Sequence, residues 1–305
     1  MTDPAVSIVV PVFATEEYFG ECLSSLLRQT FRDFEVVVVD DCSPGDPEAV
    51  IASVAGSDPR VRLVRQETNQ GLLHARMAGG WSARGHYLGF VDSDDTVEDW
   101  FIEKLYGAAR QHDADLVQCA FTICDPHDRV VNRGGDAHEL LGAEVMHGML
   151  AGKMNNSLWN KLMRTSLWRV ATRTLKGQPV SFSDDLVCLL HVVTHVNRYA
   201  HIPDPGYRYL PRTSSITMAV GTDALVSNLQ SLDRSYRSVS QVLTHRDEPA
   251  ALVRRFFERE FRVVANDILG RLAQSDTDVS SGLPRTPVAV GLLGAMALAS
   301  IDEQQ

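Results

Sequence analysis

"FEVVVVDDCSPGD", residues 34–46, places four valines between an aromatic end and two aspartates, then breaks into Ser-Pro-Gly. A run that is β-branched at every position, not at alternate ones, suits a strand covered on both faces. It reads as an interior strand of a parallel sheet. "VSIVVPV", residues 6–12, has the same texture. Between the two, "TEEYFGECLSSLLRQT" sets Phe19, Leu23, Leu26 and Leu27 on one helical stripe. Thr15 is the expected cap, with Glu16 and Glu17 complementing the dipole of the first turn. The segment predicts a βαβ unit.

The alternation continues. Asp46 and Pro47 read as N-cap and first helical residue of a helix reaching about Gly56. "VRLVRQ" is a strand, a helix follows from about Gly71 to Arg84, and "HYLGFV" is the next strand. A helix over about 97–112 and the strand "ADLVQCAF" come after it. This order predicts a doubly wound sheet, in which ligands bind beyond the carboxyl ends of strands. Two acidic clusters, Asp40-Asp41 and "DSDD" at Asp92–Asp95, fall at such ends. Asp92 and Asp94 can converge from a turn on one point, which is what a hard divalent cation needs.

The 305 residues carry a net charge of −10, which argues against non-specific nucleic-acid binding and allows a phosphate ligand bridged by a cation. Five cysteines without a CxxC pair read as free thiols of a cytosolic protein. The N-terminus lacks the basic region of a signal peptide. "PVAVGLLGAMALASI", residues 287–301, falls short of the roughly 20 apolar residues a membrane span needs. It reads as a packing helix, with membrane or partner contact as the alternative. Leu225, Leu229, Leu232, Tyr236, Val239 and Leu243 form a short heptad-like seam, and a second apolar helix is expected over about 249–273. Together they predict a helical hairpin, packing on its own domain or pairing copies of the chain, followed by a linker in "QSDTDVSSGLPRTP". His191 and His195 lie one helical turn apart on a half-buried face and do not read as a zinc site. HExxH, GxSxG and Walker A signatures are absent from the sequence.

The order "VSIVVPVF", "SLLRQTFRDFEVVVVDDCSPGD", "NQGLLHAR", "ARGHYLGFVDSDD" resembles the inverting family-2 glycosyltransferases of the GT-A fold. The likeness is close over about 5–125 and looser to about 217, through "WNKLMR", "FSDDLVCLLHVV" and "YRYLPRTSSIT". It implies an α/β nucleotide-diphospho-sugar transferase fold over 1–217 and a helical C-terminal region over 218–305. Pro11, Val12, Phe13 and Asp41 are implied to hold the nucleotide, Asp41 by accepting from a uracil N–H. Asn69 and Arg76 are implied to lie near the donor. Asp92 and Ser93 would meet ribose or sugar hydroxyls, and Asp94 would hold Mn²⁺ or Mg²⁺. Asp185 maps to the general base, with Asp184 where Glu is commoner. Arg212, Ser214 and Ser215 are candidate diphosphate contacts. The implied partners are a nucleotide-diphosphate sugar, with UDP favoured, and a glycan, polymer or lipid-linked acceptor. The implied place is the cytoplasm, with at most peripheral contact at the inner face of the membrane.

Two positions depart from the family pattern. The usual aromatic-Asn after the first strand is Phe13-Ala14, and the Asn after Ala-Arg is Met77. They motivate an alternative, a binding subunit that keeps the fold without turnover. A receiver-like phosphoryl-transfer pocket around Asp40-Asp41 is a further alternative, but it needs a phosphoacceptor Asp and a Lys at later strand ends, and "ADLVQCAF" supplies neither at its end.

Overall fold

The computed structural model describes residues 3–124, 130–133, 136, 138–175, 182–212 and 221–275. The linker beyond residue 275 and the apolar stretch 287–301 lie outside them, as do Ser214 and Ser215. Two compact units are formed, one from described residues within 1–146, 156–178 and 188–211, the other from those within 147–155, 179–187 and 212–305.

The first unit is built on one sheet. Strand β1 (Val6–Val12) is buried throughout, and β2 (Phe34–Asp40) in all but its last residue. The valine runs are therefore covered on both faces, as predicted. Helix α1 (Glu16–Leu27) buries Phe19, Leu23 and Leu26 in one core with Ile8, Val10, Val36 and Val38 of these strands. Asp46 caps α2 (Pro47–Val54) by accepting from Ala49 N at 3.0 Å. The expected cap of α1 is not made: the Thr15 hydroxyl bonds Ser93 Oγ instead, at 2.7 Å. Strand β3 (Val61–Arg65), α3 (Leu72–Ser82) and β4 (Tyr87–Phe90) complete a parallel set ordered β3-β2-β1-β4.

The helix expected over 97–112 begins later. Thr96 and Val97 form a short strand, β5, with Val97 buried in the core, and α4 runs Phe101–Gln111. Strand β6 (Leu116–Cys124) follows, then β7 (Val130–Arg133), β8 (His138–Leu141) and α5 (Ala143–Leu150). Strand β9 (Lys161–Arg164) inserts antiparallel between β4 and β6. Helix α6 (Thr165–Ala171), α7 (Asp184–Val193) and β10 (Arg198–Tyr209) come next. Strand β10 pairs parallel with β6 and antiparallel with β5 and β8. The sheet is mixed, ordered β3-β2-β1-β4-β9-β6-β10-β5, with β7 and β8 off that path.

Two glycines let α3 lie close to the sheet. A Cβ on Gly79 would meet Val9 Cγ1 at 2.3 Å, and one on Gly80 would meet Trp168 Nε1 at 2.1 Å. Alanine favours a helix interior by about 1 kcal/mol over glycine. Overpacking against buried neighbours costs typically about 1–3 kcal/mol, and more where the contact is this short. Gly80→Ala is therefore expected to lower the denaturant midpoint in spite of its better helix propensity. An unchanged or raised midpoint would show that Trp168 can move aside.

In the second unit, α8 (Thr222–Thr244) buries Leu225, Leu229, Leu232, Val239 and Leu243, the expected seam. The second helix is not continuous. Helix α9 (Ala250–Phe257) passes through a wide π turn at Glu258–Arg262 into α10 (Val263–Ser275). The rings of Phe257 and Phe261 both pack on Tyr236, at 5.1 and 5.5 Å. Among the described residues no helix is long and apolar enough to cross a membrane, and the five cysteines form no disulfide.

Candidate active site

Strands β1, β2 and β4 end side by side, because Val12 pairs with Asp40 and Val9 with Phe90. The residues just beyond each strand therefore lie at one edge of the sheet. After β1, Phe13 is 47% exposed, although it is a large aromatic. Ala14 then takes φ +54°, the left-handed region that asparagine tolerates better than alanine. The asparagine usual in the family thus has a backbone reason, apart from any ligand contact. Pro11 and Val12 are buried in the strand itself.

After β2, Asp41 is buried and its carboxylate accepts three hydrogen bonds from the protein. Oδ1 takes Gln66 Nε2 at 2.7 Å and Gln70 N at 2.8 Å, and Oδ2 takes Gly71 N at 2.8 Å. The residue expected to read a nucleobase thus also fixes the loop that starts α3. An ionised carboxylate has about four lone-pair sites, so one remains for a ligand donor. Asn69 lies exposed in that loop. On α3, Arg76 is only 1% exposed and its Nη2 donates to Asp92 Oδ1 at 2.8 Å. A buried guanidinium held at a strand end is thus a fixed positive charge pointing at the DSDD turn.

The turn itself is over-determined. Asp95 N donates to Asp92 O at 3.1 Å, closing it, and Cys22 Sγ donates to the same carbonyl at 3.5 Å. Thr15 and Ser93 join hydroxyls across it. Tyr207 on β10 accepts from Asp92 N at 3.2 Å and donates to Asp95 Oδ2 at 2.6 Å, while Leu210 N donates to Asp95 Oδ1 at 2.8 Å. Tyr207 is braced by stacking on Trp159, with ring centroids 4.3 Å apart. Burial, then the charges of Asp92 and Asp94, push Asp95 well above the ordinary carboxylate range. Asp95 and Tyr207 carry no role in the sequence reading. Four acids in a row look alike until burial separates the anchoring Asp95, 1% exposed, from the half-buried Asp94.

The donors fit a hard cation. Asp95 is held by Tyr207 and Leu210 and Asp92 by Arg76, and Asp94, half-buried like Asp92, adds a further carboxylate to the turn. Among the described residues no cluster of three or more His, Cys, Asp or Glu side chains stands ready for a metal. Magnesium-type sites commonly use one or two protein carboxylates and complete the shell with phosphate oxygens.

In the second unit, Asp184 and Asp185 open α7, preceded by Ser183 at φ +63°. Asp184 is buried, and Arg212 is half-buried.

Residues 7–173 match the family model for glycosyl transferase family 2. An uncharacterized glycosyltransferase of Bacillus subtilis, EpsJ, is 31% identical over 232 residues, 74% of this chain and 67% of that protein. The chain spans 37% to 67% of the length of the first three curated relatives it matches. The crystal structure of S. aureus TarS 1–349 with UDP-GlcNAc superposes with TM-score 0.67 at 21% identity, covering 98% of this chain and 81% of that one. A mannosyltransferase from Pyrobaculum calidifontis, in complex with GDP-Man and Mn²⁺, gives TM-score 0.57 at 16% identity, covering 98% and 81%. The mixed sheet with its C-terminal helices is thus the fold of the GT-A transferases. The chain belongs to glycosyl transferase family 2 and is a glycosyltransferase.

Proposed function

We propose that this glycosyltransferase moves a sugar, with inversion, from a UDP-sugar to an acceptor hydroxyl of a polysaccharide, cell-wall polymer or glycoconjugate. The observation that carries the reading is the row of strand ends bearing Phe13, Asp41, the Arg76–Asp92 pair and Asp94 at one sheet edge. Phe13 offers a ring face to the base, and Asp41 keeps a lone pair for the uracil N–H. Arg76 and Asp92 orient the ribose and diphosphate. Asp94 holds Mn²⁺ or Mg²⁺, which when bound offsets the charge of the departing diphosphate. Asp185 takes the proton of the attacking hydroxyl. The solved relative bound to UDP-GlcNAc supports a uridine donor, and the Mn²⁺-bound mannosyltransferase supports a metal. The reaction takes place in the cytoplasm, with the acceptor brought to the protein there or at the membrane's inner face.

The test is thermal stability against UDP-, GDP-, CDP- and dTDP-sugars, each with manganese or EDTA. A ligand at 100 times its dissociation constant adds about 2.7 kcal/mol, a rise of several degrees for a protein of this size. Stabilisation by UDP-sugars only with manganese is expected, and Asp94→Asn is expected to abolish the manganese dependence. A response to another nucleotide would reassign the donor. Unchanged manganese dependence in Asp94→Asn would remove Asp94 from the metal.

A further inference from the structure

Beside its apolar seam, α8 carries a second buried stripe that is polar. Asn228, Ser231, Ser235 and Ser238 recur at steps of three and four, and Ser231 and Ser235 are fully buried. Hydroxyls this deep are expected to be hydrogen-bonded, and two of them share one target. Ser231 Oγ accepts from Phe182 N at 2.8 Å, and Ser235 Oγ donates to Phe182 O at 3.1 Å. Both backbone groups of one residue are thus held by one helix. The next residue, Ser183, sits at φ +63°, a conformation that costs a non-glycine residue about 1–2 kcal/mol, and Asp184 and Asp185 follow directly. Strain of this kind persists where the surroundings over-determine the backbone. Small side chains at 231 and 235 let the backbone of 182 come within hydrogen-bond reach of the helix; larger ones would hold it off.

We propose that Ser231 and Ser235 are positioning residues for Asp185: they clamp Phe182, hold the left-handed turn at Ser183 and thereby set the direction in which α7 presents its first carboxylates. The clamp gives the C-terminal hairpin, which lies outside the span matched by the family model, a part in the chemistry. The inference rests on the reading of Asp185 as the base. Hydroxyl groups are needed because the Phe182 N–H and C=O both lie against α8 and require one acceptor and one donor there. Serine supplies either.

The test uses the full chain carrying Ser231→Ala and Ser235→Ala together, with Ser238→Ala as a control for loss of a buried hydroxyl on the same stripe. Turnover is read as UDP release from UDP-GlcNAc with manganese, and amide hydrogen exchange is read over residues 182–187. The double variant is expected to lose about 10- to 100-fold in kcat, the scale of a small misplacement of a catalytic group. Donor KM is expected to stay at the wild-type value, and exchange at 182–187 to accelerate while the α8–α10 amides stay protected. Ser238→Ala is expected to keep both readouts. Wild-type kcat and exchange in the double variant would overturn the clamp, as would an equal loss in Ser238→Ala. Asp185→Asn is run alongside. If it is dead while the double serine variant is fully active, the clamp alone fails; if it turns over at the wild-type rate, the base assignment fails and takes the clamp with it. Ser231 Oγ also lies within 3.3 Å of Phe182 O, so should the double variant unfold, Ser231→Ala alone, which leaves the Phe182 N–H without its acceptor, carries the same expectation at smaller size, and unchanged exchange at 182–187 in it overturns the proposal.

Discussion

Asp185→Asn is expected to lower turnover by about 10²- to 10⁴-fold, the usual contribution of a positioned base, while UDP binds with wild-type affinity. The substitution preserves size and helix-start geometry and removes only the ability to take a proton. An interaction made solely in the transition state shows itself as a fall in kcat with little change in ground-state binding. The pair of measurements is kcat for UDP release and the dissociation constant for UDP with manganese by calorimetry. Equal losses in both would make Asp185 a donor-binding or structural residue. Loss in neither would return the search for the base to the remaining carboxylates.

Asp41→Asn is expected to damage both stability and binding, which separates it from every other substitution at the strand ends. The carboxylate accepts from Gln70 N and Gly71 N with different oxygens. An amide has one acceptor end, so one of these N–H groups must face an NH₂. Leaving such a donor unsatisfied costs about 1–3 kcal/mol. Asp41→Ala, which removes all three bonds of a charged acceptor, is expected to cost more than about 3 kcal/mol. Denaturant midpoints for the two variants, with UDP affinity of the folded fraction, check this. A stable Asp41→Asn protein that has lost UDP alone would show that Asp41 serves only the ligand.

The parallel half of the sheet was legible because its strands are valine runs with nothing else to be. The other half was not. Strand β9 has four residues, Lys161–Arg164, too few for any period to show. Strand β10 contains Pro203 and Pro205, which argue against a strand. The structure accommodates them with register shifts between Ile202 and Pro205 and between Pro205 and Tyr207. The π turn inside the last hairpin stretches one step of the buried face to five residues, Phe256 to Phe261, and the neighbouring Phe257 masks that step in the sequence. At the site, the acids at the strand ends announced themselves by crowding. Their division of labour did not, because it depends on Tyr207, which lies 112 residues from Asp95. The serine stripe on α8 was hidden by its own chemistry: serine reads as solvent-facing until burial shows otherwise.

The insertion of β9 between β4 and β6 has a consequence for the chain as it is made. Strands β1 to β4 can pair as soon as Phe90 has emerged from the ribosome, yet β4 then ends the sheet with its hydrogen-bonding edge open. Its proper neighbour, completed at Arg164, is made about 4–15 s later at ordinary rates of synthesis. For that interval the nascent half-domain displays a buried-type strand to its surroundings, the condition that invites pairing with the wrong chain. A chaperone that shields this edge, or slower initiation that spaces nascent copies apart, would raise the yield of folded enzyme without touching its final stability.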